Sequence, residues 1–470
     1  MFGSACPQYV TAVPSAWALN ITGNLIVNYG ESLLAGRVAD NSAEDCLSVA
    51  IWTPANVSAD AKLPVIHFLT GGGDMTGGIN IPTQMPANWV HRSQKHIVVT
   101  TNYRVNIFSF PNARGLNGST NFGLQDQRLA VEWVAENIAA FGGDPSRITL
   151  WGQSAGASAT DQYLFSHYQD PIVRASISSS GVAIGRAANP DTAGTNFTFV
   201  AKNLGCDFPD AKLELECMRR VPIQRIENFV GQYQDNSTLV NASQPSITFT
   251  RTGKLFFGSC VDDILIEVAV DNKTVFDNAE YIRRYSSGQI AHIPKIVGTT
   301  AREAAPLVPY PIRDYTAGPS EERVYTQTLS TVCAAHNTSV LRNQANLMTW
   351  RYQWGGNFSD LTGNVPWLGA YHYSDLYLLF GTYRITPSPS TDLERQTSEK
   401  MQDLFLAFIT DPSNANLAQQ GWPAYEATSS GDGGSDIALF AADNQVLQLK
   451  DGMDIEGACW NSSIIYDTTP

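Results

Sequence analysis

The sequence predicts an α/β protein built on a large, mostly parallel sheet with helices on both faces. Short β-branched apolar runs, bounded by Gly, Pro or Asn, alternate along the chain with stretches of helical periodicity. Strands and helices that alternate in this way form parallel sheets covered by helices. The chain has 470 residues, of which 43% are hydrophobic, and this is enough to bury a large core.

Five segments have the length and composition of buried strands, namely 47–54 (LSVAIWTP), 63–72 (LPVIHFLTGG), 96–104 (HIVVTTNYR), 147–152 (RITLWG) and 293–300 (IPKIVGTT). Between them, residues 123–142 carry apolar side chains at helical spacing and end at a glycine, which is a usual helix stop. We expect one domain over residues 1–470. Within it, the segment 185–290 breaks the alternation and is predicted to form an inserted cap.

Composition restricts the possible partners. The chain has 30 basic and 44 acidic residues, which gives a net charge of −14 and disfavours nucleic acid and anionic membrane surfaces. It lacks any apolar run of about 18 residues, so we expect no membrane-spanning helix. No CxxC pair occurs, and we expect neither a metal nor another cofactor. The oligomeric state is left open.

Glycosylation sequons and cysteines point to secretion. Asn-x-Ser/Thr recurs more often than chance pairing would give, at Asn20, Asn56, Asn117, Asn196, Asn236, Asn241, Asn272, Asn337, Asn357 and Asn461. Seven cysteines suit an oxidising compartment. The opening MFGSACPQYV lacks the basic and apolar regions of a secretory signal, so we expect Met1 to begin a mature or trimmed chain.

The segment 148–165 (ITLWGQSAGASATDQYLF) places Ser154 between a predicted strand and a predicted helix. A sharp turn at that junction crowds the positions two before and two after the serine, which are Gly152 and Gly156. Such a turn lifts the hydroxyl clear of the sheet and aims the amide of Ala155 at the same spot. The alternative is a chance GxSxG in a chain with 37 glycines, but the strand and helix flanks favour a nucleophile.

A glycine run in 67–78 (HFLTGGGDMTGG) follows the strand upstream of this turn. Backbone amides in such a run can approach a substrate oxygen, and Gly72 and Gly73 are the candidates for an oxyanion hole shared with Ala155. A flexible loop is the alternative.

A serine nucleophile needs a base and an acid that orients the base. His372, in 367–381 (WLGAYHYSDLYLLFG), is the candidate base. Of the other histidines, we expect His67 in the core and His292 and His336 at the surface.

Glu303 is the candidate acid, because it lies in a polar turn directly after the predicted strand 293–300. A surface pair with Arg302 is the alternative reading, and Asp262 and Asp263 are rivals for the acid. The order serine, acid, histidine is the chain order of α/β-hydrolases.

The residues 42–54, 121–157, 297–304 and 369–376 together resemble the type-B carboxylesterase/lipase family. The resemblance implies a metal-free α/β-hydrolase fold with cap or lid insertions and small-molecule carboxylic esters as substrates. It implies roles for a set of residues: nucleophile Ser154, acid Glu303, base His372, and an oxyanion hole from Gly72, Gly73 and Ala155. It also implies the disulfides Cys6–Cys46 and Cys206–Cys217. Among the remaining cysteines Cys260, Cys333 and Cys459, we favour a Cys333–Cys459 pair.

The chain departs from the family pattern at two positions near the serine. The family usually has Glu before the nucleophile and often an aromatic residue after the glycine run, whereas this chain has Gln153 and Asp74. The disulfide-closed segment 6–46 is either a mobile lid or a fixed rim loop. The aromatic residues around His372 either line a substrate pocket or belong to the core.

Two other functions stay open. A protein of the same fold that has lost its chemistry and acts in binding or adhesion is one. A hydrolase of a specialised ester or an amide is the other.

Overall fold

The computed structural model describes residues 2–13, 16, 36–39, 42–117, 121–185, 191, 193–239, 271–311, 314–363, 365–386, 389–412, 416–428, 434 and 436–470. Most of the predicted lid or rim segment, the central part of the predicted cap and the rival acids Asp262 and Asp263 lie outside these residues. The domain division, the lid and the cap therefore stay predictions.

The described strands form one large sheet and one small one. In chain order they are β1 Tyr9–Val10, β2 Arg37–Val38, β3 Val49–Trp52, β4 Leu63–Leu69, β5 Ile97–Thr101, β6 Gly143–Gln153, β7 Ala175–Ser179, β8 Lys295–Thr300, β9 Thr349–Trp354, β10 Ile437–Phe440 and β11 Leu447–Lys450. The large sheet has nine strands in the order β11-β10-β9-β8-β7-β6-β4-β5-β3, while β1 and β2 pair by themselves. All neighbours from β5 to β10 are parallel, and only the outermost strands β3 and β11 are antiparallel to theirs.

The described α-helices lie mainly between the strands. In chain order they are α1 Ala87–Ser93, α2 Asn106–Ser109, α3 Phe122–Asn137, α4 Ala155–Ser166, α5 Thr195–Asn203, α6 Ala211–Met218, α7 Ile223–Leu239, α8 Asn278–Ser286, α9 Glu321–Gln344, α10 Ser359–Thr362, α11 Asp375–Phe380, α12 Asp392–Thr410, α13 Asn416–Gln419 and α14 Gly452–Glu456. None of these helices combines the length and the apolar composition needed to cross a membrane. Short 3₁₀ turns link several of them, and one, Ile138–Phe141, continues α3 to Gly142.

Both faces of the central strands are buried, which explains why most of these strands read as largely apolar runs. Ile66 and Phe68 of β4 pack in one core cluster with Trp151 of β6, while Val65 and Leu69 of β4 pack in a second cluster on the other face. Side chains alternate across a strand, so a strand covered on both faces tends to be apolar at most positions. The sequence prediction of an α/β fold with a mostly parallel sheet is confirmed.

All five predicted strands and both predicted helices are present in the structure, and the helix after Ser154 is α4. The five strands became β3, β4, β5, β6 and β8, and the helical segment 123–142 became α3 with its 3₁₀ extension. Gly142, with a φ of 83°, ends that segment in the left-handed conformation that favours glycine. The strands β1, β2, β7, β9, β10 and β11 were not predicted.

Candidate active site

Ser154 stands in a forced turn between β6 and α4. Its φ of 58° and ψ of −123° lie in a region that residues with a side chain rarely adopt, so its neighbours must hold it there. Its backbone N–H donates to the carbonyl of Ser179 on β7 at 2.9 Å. The side chain is partly exposed although every residue of α4 up to Phe165 is buried. The hydroxyl is therefore presented at the carboxyl end of the central strands.

The glycines on either side of Ser154 are required by backbone packing. A Cβ on Gly152 would lie 2.1 Å from the carbonyl oxygen of Gly156. A Cβ on Gly156 would lie 2.2 Å from the carbonyl oxygen of Leu69, the last residue of β4. Both contacts are with backbone, which cannot rotate away as a side chain can. The small neighbours are thus a condition of the turn, as the sequence pattern predicted.

The glycine run 71–73 follows β4 directly and lies against the serine. A Cβ on Gly71 would come within 2.8 Å of the Cβ of Ser154. Gly72 and Gly73 have φ values of 118° and 64°, and both are partly exposed. Within the described residues, no acceptor is bonded to the amides of these two glycines. The run thus offers N–H groups next to Ser154, together with the positive end of α4.

The chain near the first disulfide supports the loop that follows the glycine run. The side-chain amide of Gln8 donates to the carbonyl of Gly77 and accepts from its N–H, each at 3.1 Å. Asn106 donates its side-chain amide to the carbonyl of Pro7 at 2.8 Å and its backbone N–H to the carbonyl of Asp74 at 2.7 Å. We call residues 7, 8, 74, 77 and 106 the loop clamp.

Glu303 and His372 are in contact just beyond the carboxyl end of β8. Oε2 of Glu303 lies 2.5 Å from Nδ1 of His372, and both side chains are almost fully buried. The other carboxylate oxygen of Glu303 accepts from the backbone N–H of Thr300, the last residue of β8, at 2.8 Å. This second bond fixes the carboxylate, which in turn fixes the plane of the imidazole ring.

Two backbone features bring the acid and the histidine together. The N–H of Arg302 donates to the carbonyl of Ala370 at 3.0 Å, and Arg302 forms a parallel bridge with Tyr371. The side chain of Arg302 turns elsewhere and binds Glu321 at 2.9 Å. The alternative reading of Glu303 as a surface partner of Arg302 is therefore wrong.

The second hydrogen-bond partner of His372 is Gln153. Nε2 of the Gln153 amide lies 3.0 Å from Nε2 of the imidazole, and Gln153 is 1% exposed. Within the described residues, no hydrogen bond joins the Ser154 hydroxyl to His372. Sequence reasoning noted Gln153 as a departure from the family pattern but did not predict this contact, because the two residues are 219 positions apart.

Three other histidines were assigned from the sequence, and the structure places two of them, His67 and His336, in the core. His67 is buried in β4 and bonded to Thr101 at 2.7 Å, and burial lowers its pKa to about 3, so the prediction of a core residue is confirmed. His292 is exposed, as predicted. His336 is 4% exposed and its Nδ1 lies 2.9 Å from Glu456, so its prediction as a surface residue is wrong. Its carboxylate partner is 120 residues away, which sequence spacing could not indicate.

Asp375 is a buried acid beside the site that sequence reasoning missed. Its Oδ2 accepts from the hydroxyl of Tyr352 at 2.7 Å, and its Oδ1 has no hydrogen-bond partner in the described part of the chain. Burial raises the pKa of Asp375 to about 6, and the charge of Glu303 acts in the same direction. The only available signal was a carboxylate three positions after His372.

The aromatic residues near His372 belong mainly to the core. Trp350, Trp354, Tyr371 and Tyr373 are all buried in the cluster under the sheet, and Trp354 donates to the hydroxyl of Ser374 at 2.8 Å. Trp367 is partly buried against the same cluster. The core interpretation of these residues therefore holds for the four buried ones.

Three disulfides stabilise the described chain. Cys6 pairs with Cys46 and Cys206 with Cys217, as the resemblance implied, and Cys333 pairs with Cys459. Cys260 lies outside the described residues.

Comparisons with known proteins agree with this fold. The model of the carboxylesterase family matches residues 1–360. A secreted lipase of Gibberella zeae is 40% identical, covering 92% of this chain and 82% of its own length, and a chlorogenic acid esterase of Aspergillus niger is 39% identical, covering 95% and 83%. An inactive carboxylesterase-like protein of Byssochlamys spectabilis is 27% identical, covering 91% and 74%. The chain therefore belongs to the carboxylesterase family, and it is a carboxylic ester hydrolase with the α/β-hydrolase fold of that family.

Proposed function

We propose that the chain hydrolyses small-molecule carboxylic esters through an acyl-enzyme on Ser154, with His372 as the base and Glu303 as the acid that orients it. One observation carries the proposal, namely the 2.5 Å hydrogen bond between Glu303 and Nδ1 of His372 at the end of the sheet where Ser154 is presented. Gln153, the residue before Ser154, also contacts His372, so three distant parts of the sequence come together at this end of the sheet. The types and order of Ser154, Glu303 and His372 are those of acyl transfer.

The first half of the reaction follows from the tautomer of His372. Because Nδ1–H donates to Glu303, the lone pair of a neutral ring lies on Nε2, which accepts the proton of Ser154 as its oxygen attacks the ester carbonyl. The amides of Gly72, Gly73 and Ala155 then donate to the oxyanion. The imidazolium returns the proton to the leaving alcohol, and an acyl-enzyme remains.

Water completes the cycle by the same route. It gives a proton to Nε2 of His372 as it attacks the acyl carbonyl, and the carboxylic acid leaves when Ser154 takes that proton back. The chain itself supplies the proton transfers and the electrostatic stabilisation, so this scheme uses no metal or cofactor.

A covalent serine probe tests the assignment of the nucleophile. We expect a fluorophosphonate to label Ser154 and abolish turnover of p-nitrophenyl butyrate, and we expect Ser154→Ala to lose about three to six orders of magnitude in kcat. Ser158→Ala is a matched control, since Ser158 lies one turn along α4, is buried, and its hydroxyl has no partner in the described residues. Labelling elsewhere, or near-full activity of Ser154→Ala, would contradict the proposal.

The same experiment separates an enzyme from a binding protein of the same fold. The inactive relative shows that the family contains proteins without activity. In this chain Ser154, Glu303 and His372 are the residue types that the proposed mechanism needs, and Glu303 is in contact with His372. A folded chain that neither binds the probe covalently nor turns over any ester would favour the binding function.

The ester class is proposed from the relatives. The names of the first two relatives indicate lipids and chlorogenic acid as substrates of those proteins, so both classes belong in one panel. Emulsified triacylglycerol, chlorogenic acid and p-nitrophenyl esters of increasing chain length would be compared. A jump in rate above the solubility limit of the ester would favour a lid over a rim loop in 6–46. Activity confined to dissolved esters would favour the rim loop.

We further propose that the protein acts outside the cell as a glycoprotein. Most acceptor asparagines in the described residues are exposed, namely Asn56, Asn117, Asn236, Asn272, Asn337, Asn357 and Asn461. The disulfides suit the same compartment. Treatment of protein secreted from a fungal host with an N-glycosidase should lower its mass, and an unchanged mass would contradict glycosylation.

A further inference from the structure

The hydrogen-bond partners of His372 do not include the proposed nucleophile. Nδ1 faces Glu303 at 2.5 Å, and Nε2 faces the side-chain amide of Gln153 at 3.0 Å. Gln153 is the last residue of β6, and its side chain is buried. The nitrogen that must take the serine proton is therefore engaged by a neighbouring side chain in this structure.

The chemistry of the amide decides which form of His372 this contact favours. A neutral ring with Nδ1–H bonded to Glu303 has a lone pair on Nε2, and the amide N–H of Gln153 donates to it. A carboxylate at position 153 could only accept, so it would favour a proton on Nε2 and hence the charged ring. The two side chains have nearly the same shape, and they differ in which protonation state of the histidine they stabilise.

We propose that Gln153 is a positioning residue that holds His372 in the neutral, base-competent form and gives up Nε2 to the Ser154 hydroxyl when an ester binds. The proposal rests on the roles of Ser154 and His372 proposed above. Its functional consequence is activity that extends to lower pH than a glutamate at position 153 would permit.

Other titratable groups also face His372 and must stay constant in the test. Glu303 comes from the turn after β8, Asp375 from the start of α11, and Tyr352 of β9 reaches the site through its bond to Asp375. Substitutions at position 153 leave all three in place. A shift between variants therefore reports the contact with Gln153.

The test compares the pH dependence of kcat/KM for p-nitrophenyl butyrate from about pH 4 to about pH 9 in four proteins. They are the unmodified chain, Gln153→Glu, Gln153→Met and the control Gln162→Glu. Gln162 is a buried glutamine on α4 and has no contact with His372 among the described residues, so its variant repeats the chemical change elsewhere in the core. Methionine at 153 keeps the length of the side chain and removes the donor.

We expect the acidic limb of Gln153→Glu to move to higher pH by about one unit, which is about a tenfold loss of kcat/KM on that limb. Gln153→Met should lie between Gln153→Glu and the unmodified chain, and Gln162→Glu should match the unmodified chain. Coincident limbs for the unmodified chain and Gln153→Glu, or a shift to lower pH, would overturn the proposal.

A spectroscopic measurement on the unmodified protein covers the case in which a variant does not fold. With ¹⁵N-labelled histidine, the ring nitrogens of His372 at neutral pH should show a proton on Nδ1 and none on Nε2, and a proton on Nε2 would overturn the proposal. Ser154→Ala separates this inference from the proposed function. If that variant stays active, both proposals fail, whereas an inactive Ser154→Ala with unmoved limbs refutes only the role of Gln153.

Discussion

Replacing Gly156 with alanine should damage the serine turn more than it damages the fold as a whole. The new Cβ would lie 2.2 Å from the carbonyl oxygen of Leu69 and 2.6 Å from that of Thr70, while ordinary contacts begin at 3.4 Å. The start of α4 and the end of β4 must therefore separate by about 1 Å. Since Thr70 leads directly into the glycine run, the displacement moves the proposed oxyanion amides relative to Ser154.

The expected sizes of the two effects follow from this displacement. Overpacking of this kind costs about 1–3 kcal/mol in the free energy of unfolding, which is a small part of the stability of a large domain. A misplacement of about 1 Å in a catalytic group can lower turnover about a hundredfold. Activity should thus fall far more than stability.

Turnover of p-nitrophenyl butyrate and urea unfolding, measured on the same preparation, would check this prediction. Gly205→Ala is the control, because nothing lies within 4 Å of its Cβ while its φ of 90° still disfavours alanine. That control should lose about 1–2 kcal/mol from backbone conformation and keep its turnover. A folded Gly156→Ala with turnover within about threefold of the unmodified chain would refute the packing argument.

Three further predictions concern the acid, its buried neighbour and the last disulfide. Glu303→Gln should lower kcat about a thousandfold to ten-thousandfold with little change in KM. The reason is that a glutamine amide can donate to Nδ1 of His372 and so favour the tautomer with its proton on Nε2. An unchanged kcat in steady-state assays would contradict this prediction. Burial raises the pKa of Asp375 from 3.8 to about 6, so the folded chain binds this proton more tightly than the unfolded chain does. The free energy of unfolding should therefore fall by about 3 kcal/mol as the pH rises from 3.8 to about 6. Urea unfolding of Asp375→Asn at about pH 4 and about pH 7 should not show this fall in the free energy of unfolding. An equal fall in Asp375→Asn and in the unmodified chain would contradict the prediction. Replacing Cys333 and Cys459 by serine removes a disulfide between residues 126 positions apart. Because this disulfide restricts the unfolded chain, its loss should lower the free energy of unfolding in urea by about 4–5 kcal/mol and leave kcat unchanged. A decrease of less than about 1 kcal/mol would contradict this reasoning.

Sequence reasoning identified strands that carry a β-branched apolar run, and β7 and β9 show why two other strands were missed. Strand β7 reads ASISS and has no apolar run, because it passes beneath the serine turn, where Ser178 bonds to the carbonyl of Ala157 at 3.1 Å. Strand β9 contains a charged residue, Arg351, which is fully buried against Glu456. That partner is 105 positions away, so local sequence gives no reason to place an arginine inside a core.

The site residues also divide into those that the local sequence indicates and those whose contacts depend on distant parts of the chain. The turn at Ser154 could be predicted because its requirements are local, with small residues two positions on either side. Glu303 and His372 could be chosen because a polar turn after a strand and a late histidine match a known chain order. The contact of Gln153 with His372 could not be predicted, since it depends on how two distant segments approach across the sheet.

The loop clamp gives protein engineers positions to vary outside the proposed triad. Gln8 and Pro7 are in the stretch that Cys6 ties to Cys46, yet they bind the segment that continues from the glycine run. We therefore expect substitutions in this stretch to change turnover while the proposed triad residues stay the same. In a library selected for new ester preference, we expect useful substitutions around positions 7, 8 and 106.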